Sequence, residues 1–128
     1  MNHAVPKITV GTEWVIDAIG CAPLALMSEE VLRRLFEDVV RELDLTPAAP
    51  ALWKVFPGEA GITGLWMLQE SHLTVHTFPE HAAAAINLYC CAERRAWAWE
   101  AELIRRLGAT AVSVRVLARG GRAPERAG

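Results

Sequence analysis

Residues 62–79 read Ile62-Thr-Gly-Leu-Trp-Met-Leu-Gln-Glu-Ser-His-Leu-Thr-Val-His-Thr-Phe-Pro79. From Ile62 to Gln69 the stretch is nearly all apolar, as a central strand is, and from His72 to Phe78 it alternates as a second strand that Pro79 stops. Only Glu70-Ser71 separates the two, so they join through a tight turn, which antiparallel strands allow and parallel strands do not. Ala84 to Cys90 makes a further strand. The turn residues belong to a dense cluster: Glu70, Ser71, His72, His76 and Glu80 place a hydroxyl, two imidazoles and two carboxylates within eleven residues of an otherwise apolar chain.

Upstream, Trp14 to Ile19 reads as a short buried strand closed by Gly20 and a Cys21-Ala22-Pro23 turn. Ser28 is placed as an N-cap, with Glu29 and Glu30 in the first turn, and Val31, Leu32, Leu35, Phe36, Val39, Val40 and Leu43 recur at helical spacing on one face. After Pro47 and Pro50, Leu52 to Phe56 is a second strand and Pro57 to Gly61 a turn. Glu93 to Leu107 is expected as a second helix, with Trp97, Ala101, Ile104 and Leu107 toward the sheet and Gly108 as its stop. Thr110 to Leu117 is a last strand. Residues 1–118 then form a single domain, and the Gly- and Arg-rich residues 119–128 a disordered tail. The order β-α-β-β-β-β-α-β predicts an α+β two-layer sandwich, a mainly antiparallel sheet with two helices on one face.

Composition narrows the function. A chain of 128 residues with 52% apolar content fills one core, and 13 basic against 15 acidic residues give no electrostatic footprint for nucleic acid or an anionic membrane. A small-molecule ligand is the expectation. No apolar run reaches the roughly 18 residues that span a bilayer, and the polar start Met1-Asn2-His3 does not read as a signal peptide, so the expected location is cytoplasmic. Cys21, Cys90 and Cys91 are an odd set without CxxC spacing, which argues for reduced thiols.

The string Glu70-Ser-His-Leu-Thr-Val-His-Thr-Phe-Pro-Glu80, followed by Ala84-Ala-Ile-Asn-Leu-Tyr-Cys-Cys91, resembles the self-cleavage region of the prokaryotic S-adenosylmethionine decarboxylase proenzymes in order and spacing. Asp17-Ala-Ile-Gly-Cys21, Phe56-Pro-Gly and Gly61-Ile-Thr-Gly64 are similar to that family as well. The resemblance implies an enzyme precursor that cuts itself between Glu70 and Ser71 into a beta chain, 1–70, and an alpha chain, 71–128. Ser71 would attack the Glu70 carbonyl and, after β-elimination and loss of ammonia, become a pyruvoyl group. This cofactor forms a Schiff base with the substrate amine and takes the electron pair left by departing carbon dioxide, with no metal and no pyridoxal phosphate. His76 matches the residue that assists elimination, and Cys91 the proton donor in processing and turnover. Glu80 matches a substrate-binding carboxylate, and Phe56 and Phe78 are aromatic candidates for stacking an adenine. The implied activity is decarboxylation of S-adenosylmethionine for spermidine synthesis. The implied assembly is a homodimer with sheets face to face in four αββα layers.

Several positions depart from the family pattern. Glu13 and Lys54 stand where histidines are usual, Asn87 where aspartate is, Phe78 where tryptophan is, and His81-Ala82 in place of Tyr-Gly. Glu13 is an added carboxylate that suits a distal cation, which keeps arginine or ornithine open as substrates. A non-catalytic regulatory relative is the reading from another class, and the joint retention of Ser71, His76 and Cys91 argues against it. Ordinary readings also exist: Cys91 as a small buried hydrophobe, Cys21 and Cys90 as structural, His3 and His81 facing solvent, and the five tryptophans as core and interface. His72 and His76 share one strand face and with a cysteine would suit zinc, but no fourth ligand is spaced for it. Ser71 and His76, five positions apart, point to opposite faces of a regular strand, so a bulge, a turn or another chain must bring them together.

Overall fold

A computed structural model describes residues 5–124. Six strands form a single antiparallel sheet: β1 (Ile8–Ile19), β2 (Leu52–Val55), β3 (Ile62–Leu68), β4 (Ser71–Phe78), β5 (Ala83–Cys90) and β6 (Ala111–Gly121). Their order across the sheet is β2-β3-β4-β5-β1-β6. The run β2 to β5 is a meander of neighbours in sequence, while β1 inserts between β5 and β6. Among the described residues three α-helices, α1 (Pro23–Leu26), α2 (Glu29–Glu42) and α3 (Trp99–Leu107), and one 3-10 turn (Pro79–His81) complete the domain. Among the described residues no helix is long and apolar enough to cross a membrane.

The pleat decides which side of the sheet is covered. Trp14, Ile16 and Ala18 of β1, Leu73 and Val75 of β4, and Ala84, Ile86, Leu88 and Cys90 of β5 all lie on one face, buried in a single cluster with the helices. From α2 that cluster takes Leu32, Leu35, Phe36, Val39 and Val40, the stripe expected from its spacing, and Ser28 Oγ caps the helix by accepting the Val31 N–H at 3.2 Å. Phe36 packs on Trp53 with ring centroids 4.9 Å apart, and the Trp53 ring lies over Gly64, where a Cβ would collide with it. Thr77 Oγ1 is buried and fully used, accepting from Ile62 N at 2.9 Å and donating to Leu26 O at 2.8 Å. The α+β layering read from sequence is therefore present, with the other sheet face open.

Several boundaries differ from the expectation, each through a long-range contact. The first strand starts at Ile8 rather than Trp14, and the last runs to Gly121 rather than Leu117, because the two pair along their whole length across a bulge between Thr9 and Gly11. Residues 119–121, assigned to the tail, thus belong to β6, while 125–128 and His3 lie outside the described residues. A short helix, α1, replaces the end of the Cys21-Ala22-Pro23 turn. The last helix begins at Trp99, not Glu93. Residues 93–98 instead cross the end of α2, where Trp97 Nε1 donates to the Glu42 carboxylate and Arg95 to the Glu42 carbonyl. Starting there, α3 buries Trp99, Leu103 and Leu107, and the expected sheet-facing Ala101 and Ile104 are exposed. Tertiary bonds to α2 override the high helix propensity of residues 93–98, Glu-Arg-Arg-Ala-Trp-Ala.

Candidate active site

The hairpin between β3 and β4 closes on a two-residue turn: Leu68 pairs with Ser71, leaving Gln69 and Glu70 at the tip. Glu70 has φ 57, in the left-handed region. A side chain there costs about 1–2 kcal/mol relative to glycine. Across β4 and β5 Ser71 pairs with Cys90, so Cys91 emerges beside the turn and its N–H donates to the Glu70 carbonyl at 2.9 Å. That donor polarises the carbonyl immediately preceding Ser71. The Ser71 hydroxyl donates to Gln69 O at 3.3 Å, one residue upstream of that carbonyl. A hydroxyl, a strained peptide and an amide aimed at its oxygen therefore meet at one margin of the sheet.

The adjacent cysteines part company there. Cys90 is buried on the core side and loss of solvent pushes its thiol pKa up, as it does for Cys21. Cys91 is exposed just past the strand end, where it touches the Tyr89 hydroxyl. Desolvation and then this neighbouring thiol raise the Tyr89 pKa, and its hydroxyl donates to Val10 O.

His76 lies elsewhere. It projects from the open sheet face, opposite to the side on which Ser71 sits, five residues further along β4. At about 3.3 Å per residue the separation is ~16 Å of strand. Its Nδ1 is bonded to Thr63 Oγ1 at 2.9 Å. Around it is a cleft of about 340 Å³ lined also by Phe56, Phe78, Glu80 and Glu59. Three of the four expected substrate residues thus share one cleft with His76, and Ser71 and Cys91 do not line it. Glu59 and Thr63 are further members, and the turn before β3, which the sequence reading treated as connection alone, supplies the first of them.

Glu13, the fourth, is absent from that cleft. On β1 it accepts from Asn87 Nδ2 at 2.6 Å through one carboxylate oxygen and from Arg119 through the other. The Asn87 bond, followed by Arg119, holds its carboxyl below the usual carboxylate range against the opposing effect of burial. Asn87 Oδ1 in turn meets His72 Nε2 at 3.1 Å, and the His72 ring stacks on Tyr89 with centroids 5.6 Å apart. Glu13 and Asn87, two of the departures from the family pattern, are therefore bonded to each other. Nothing in the sequence marks Asn87, His72, Tyr89 and Arg119 as a group beyond the strand alternation that puts Asn87, Tyr89 and His72 on one face. His72 and His76 are tied to different neighbours, and among the described residues no three His, Cys, Asp or Glu side chains converge as for a metal.

The model of the S-adenosylmethionine decarboxylase family matches residues 12–120. The chain is 30% identical over 86 residues to the S-adenosylmethionine decarboxylase proenzyme of Pyrococcus abyssi, an alignment covering 67% of this chain and 60% of that one. Against the proenzyme of Hydrogenobaculum sp. it is 32% identical over 113 residues, covering 88% and 83%. The chain thus spans about three fifths of the length of the Pyrococcus relative, 60%, and more of the Hydrogenobaculum one. The crystal structure of the adenosylmethionine decarboxylase from Aquifex aeolicus VF5 superposes with a TM-score of 0.74 at 26% identity, covering 94% of this chain and 98% of that one. Matched over residues 12–120 and carrying the same fold, the chain belongs to the S-adenosylmethionine decarboxylase family.

Proposed function

We propose that this chain is a self-processing decarboxylase that makes a pyruvoyl group from Ser71 and acts on S-adenosylmethionine. The observation that carries this reading is the Glu70 carbonyl, held at a left-handed residue and bonded to the Cys91 N–H at 2.9 Å. When Ser71 Oγ attacks that carbon, negative charge develops on an oxygen that already has a fixed donor, which lowers the barrier without reorganisation. Collapse moves the acyl group from nitrogen to oxygen. Loss of the Ser71 α-proton then expels the Glu70 carboxylate, and water releases ammonia from the remaining imine. The strained peptide, the adjacent hydroxyl and the polarised carbonyl fit this origin for the cofactor. Once formed, the group supplies an electron sink for the pair left by departing carbon dioxide.

Cys91, exposed and beside the turn, is the proton donor in this scheme, and His76 the base that assists elimination. His76 lies five residues along β4 from Ser71, about 16 Å of strand, so in this scheme the His76 that serves one Ser71 comes from a second copy, which brings it to the Glu70-Ser71 end of the sheet. Two open sheet faces packed together give the four-layer αββα homodimer. Leu52, Leu65 and Met67, 69%, 45% and 63% exposed, are apolar residues of the open face that such packing covers. In the cleft, Phe56 and Phe78 stack an adenine and Glu80 accepts from ribose hydroxyls.

Glu59 beside Glu80 provides two carboxylates in that cleft, the one observation that keeps arginine or ornithine as a second reading. Glu13 does not support it, since both its oxygens are engaged outside the cleft.

Mass spectrometry of the purified protein tests the processing. The expected result is two pieces, 1–70 and 71–128, the second blocked to Edman degradation, with Ser71→Ala uncut. A folded wild-type chain that stays whole overturns the reading and leaves a non-catalytic relative. Carbon dioxide release from S-adenosylmethionine, arginine and ornithine, offered separately, decides the substrate. Co-expression of Ser71→Ala with His76→Ala decides the partner's role: the His76→Ala chain is cut in the mixture and not alone.

A further inference from the structure

A directed chain of polar groups links four neighbouring strands of the open face, β6, β1, β5 and β4: Arg119 to Glu13, Glu13 to Asn87, Asn87 to His72. Its direction is set at the Glu13 end. An ionised carboxylate only accepts, so Asn87 turns its NH₂ toward Glu13 and its carbonyl oxygen toward His72. That oxygen only accepts in turn, and His72 Nε2 must carry hydrogen to meet it at 3.1 Å. Tyr89, stacked 18° from parallel with the imidazole, fixes the ring plane. Glu13 keeps its charge to a lower pH than an ordinary carboxylate, because the Asn87 bond and then Arg119 favour the charged form against the opposing effect of burial. His76 differs, since its partner Thr63 has a hydroxyl that donates or accepts and so selects no tautomer.

We infer that Glu13, acting through Asn87, is a positioning residue that keeps neutral His72 as its Nε2–H form, leaving Nδ1 as the basic atom. Among the described residues Nδ1 of His72 has no hydrogen-bond partner, and the residue lines a second shallow cleft of about 340 Å³ with Leu65, Trp66, Met67 and Thr74. His72 is then a second imidazole, after His76, that accepts a proton on the face where two copies meet. This consequence rests on the decarboxylase reading; the tautomer does not.

The test uses the full-length Ser71→Ala chain labelled with ¹⁵N, whose ring nitrogens are read by long-range proton correlation. The expected spectrum has a hydrogen-bonded, slowly exchanging Nε2–H at His72 and an unprotonated Nδ1. Glu13→Gln lets Asn87 flip and abolishes the slow exchange. The double substitution Glu13→Gln with Asn87→Asp restores it, because the amide introduced on β1 then donates to a carboxylate that still accepts from His72. An Nδ1–H form in the parent, or a spectrum unchanged by Glu13→Gln, overturns the inference whatever the activity. In chains that keep Ser71, Glu13→Gln should slow self-cleavage about tenfold and the double variant recover it, less than the roughly 10²–10⁴-fold a positioned base contributes because the His72 imidazole itself remains. Altered tautomers with an unaltered cleavage rate overturn the proton-acceptor role. A wild-type chain that never cleaves, with the Nε2–H spectrum intact, refutes the processing reading and leaves the positioning role standing.

Discussion

Cys90 and Cys91 are one residue apart and do opposite things, because β5 ends between them. The Cys90 side chain points into the core, 2% exposed, and replacing it by alanine empties a small volume there at a cost of about 1 kcal/mol. Cys91 is exposed, and its replacement should change stability by less than about 0.5 kcal/mol. Processing should respond in reverse: nearly normal in Cys90→Ala, and largely lost in Cys91→Ala. Thermal melting and the fraction of cut chain, measured on the same preparations, separate the two effects. Equal loss of cleavage in both would mean that Cys91 is not the proton donor. Iodoacetamide should modify Cys91 ahead of Cys90 and Cys21, whose burial disfavours the thiolate.

Between elements, α2 and α3 are joined by charge rather than by apolar packing alone. Arg106 on α3 reaches Asp38 on α2 at 2.6 Å and Glu102 at 3.1 Å, and it is largely buried while doing so. The Arg106 bond is the main influence holding both the Asp38 and the Glu102 carboxyls below their ordinary range, with Arg41 and Arg105 adding to it. A lowered folded-state pKa means that the stabilisation is complete above the unfolded value of about 4 and disappears as pH falls through the folded one. Denaturant melts from about pH 5 to about pH 3 should therefore show wild type losing more stability than Arg106→Met, which has no such pairing to lose. Parallel pH dependences in the two proteins would show that the contact does not favour the charged carboxylates.

At the scale of the molecule, the sheet is covered on one side only. Six strands carry helices against one face, and Met67, 63% exposed, stands on the other, on β3 beside the β3–β4 turn. A buried carboxylate at a packed apolar interface is strongly unfavourable, so Met67→Glu should prevent the proposed dimer while leaving the protomer folded. Sedimentation should report a monomer. The same monomer should remain uncut, since no second chain brings its His76 to Ser71. A monomeric Met67→Glu protein that still cleaves itself would remove the need for a partner histidine.

What sequence determined here is what depends on near neighbours. The stripe from Leu32 to Val40, its Ser28 cap, the tight β3–β4 turn and the opposition of Ser71 to His76 all follow from helical and strand periods acting over a few residues. The turn itself falls at Gln69-Glu70, one residue before the expected Glu70-Ser71, because Ser71 pairs with Leu68. The resemblance of residues 70–91 added the family and named Phe56, Phe78 and Glu80 together, which share one cleft, whereas that cleft also takes His76, expected beside Ser71 and Cys91, and leaves out Glu13. Other features were decided only by pairing across long stretches of chain. Ile8 and Gly121 are strand residues because each supplies the other's ladder bonds, and Trp97 leaves the helical path because Glu42 captures its indole. Glu13 looked like a free carboxylate until β1 and β5 came into register, 74 residues apart, and set Asn87 against it. Hydrogen bonds of that range leave no periodic trace in the chain, because both partners are ordinary polar residues until the fold removes them from water together.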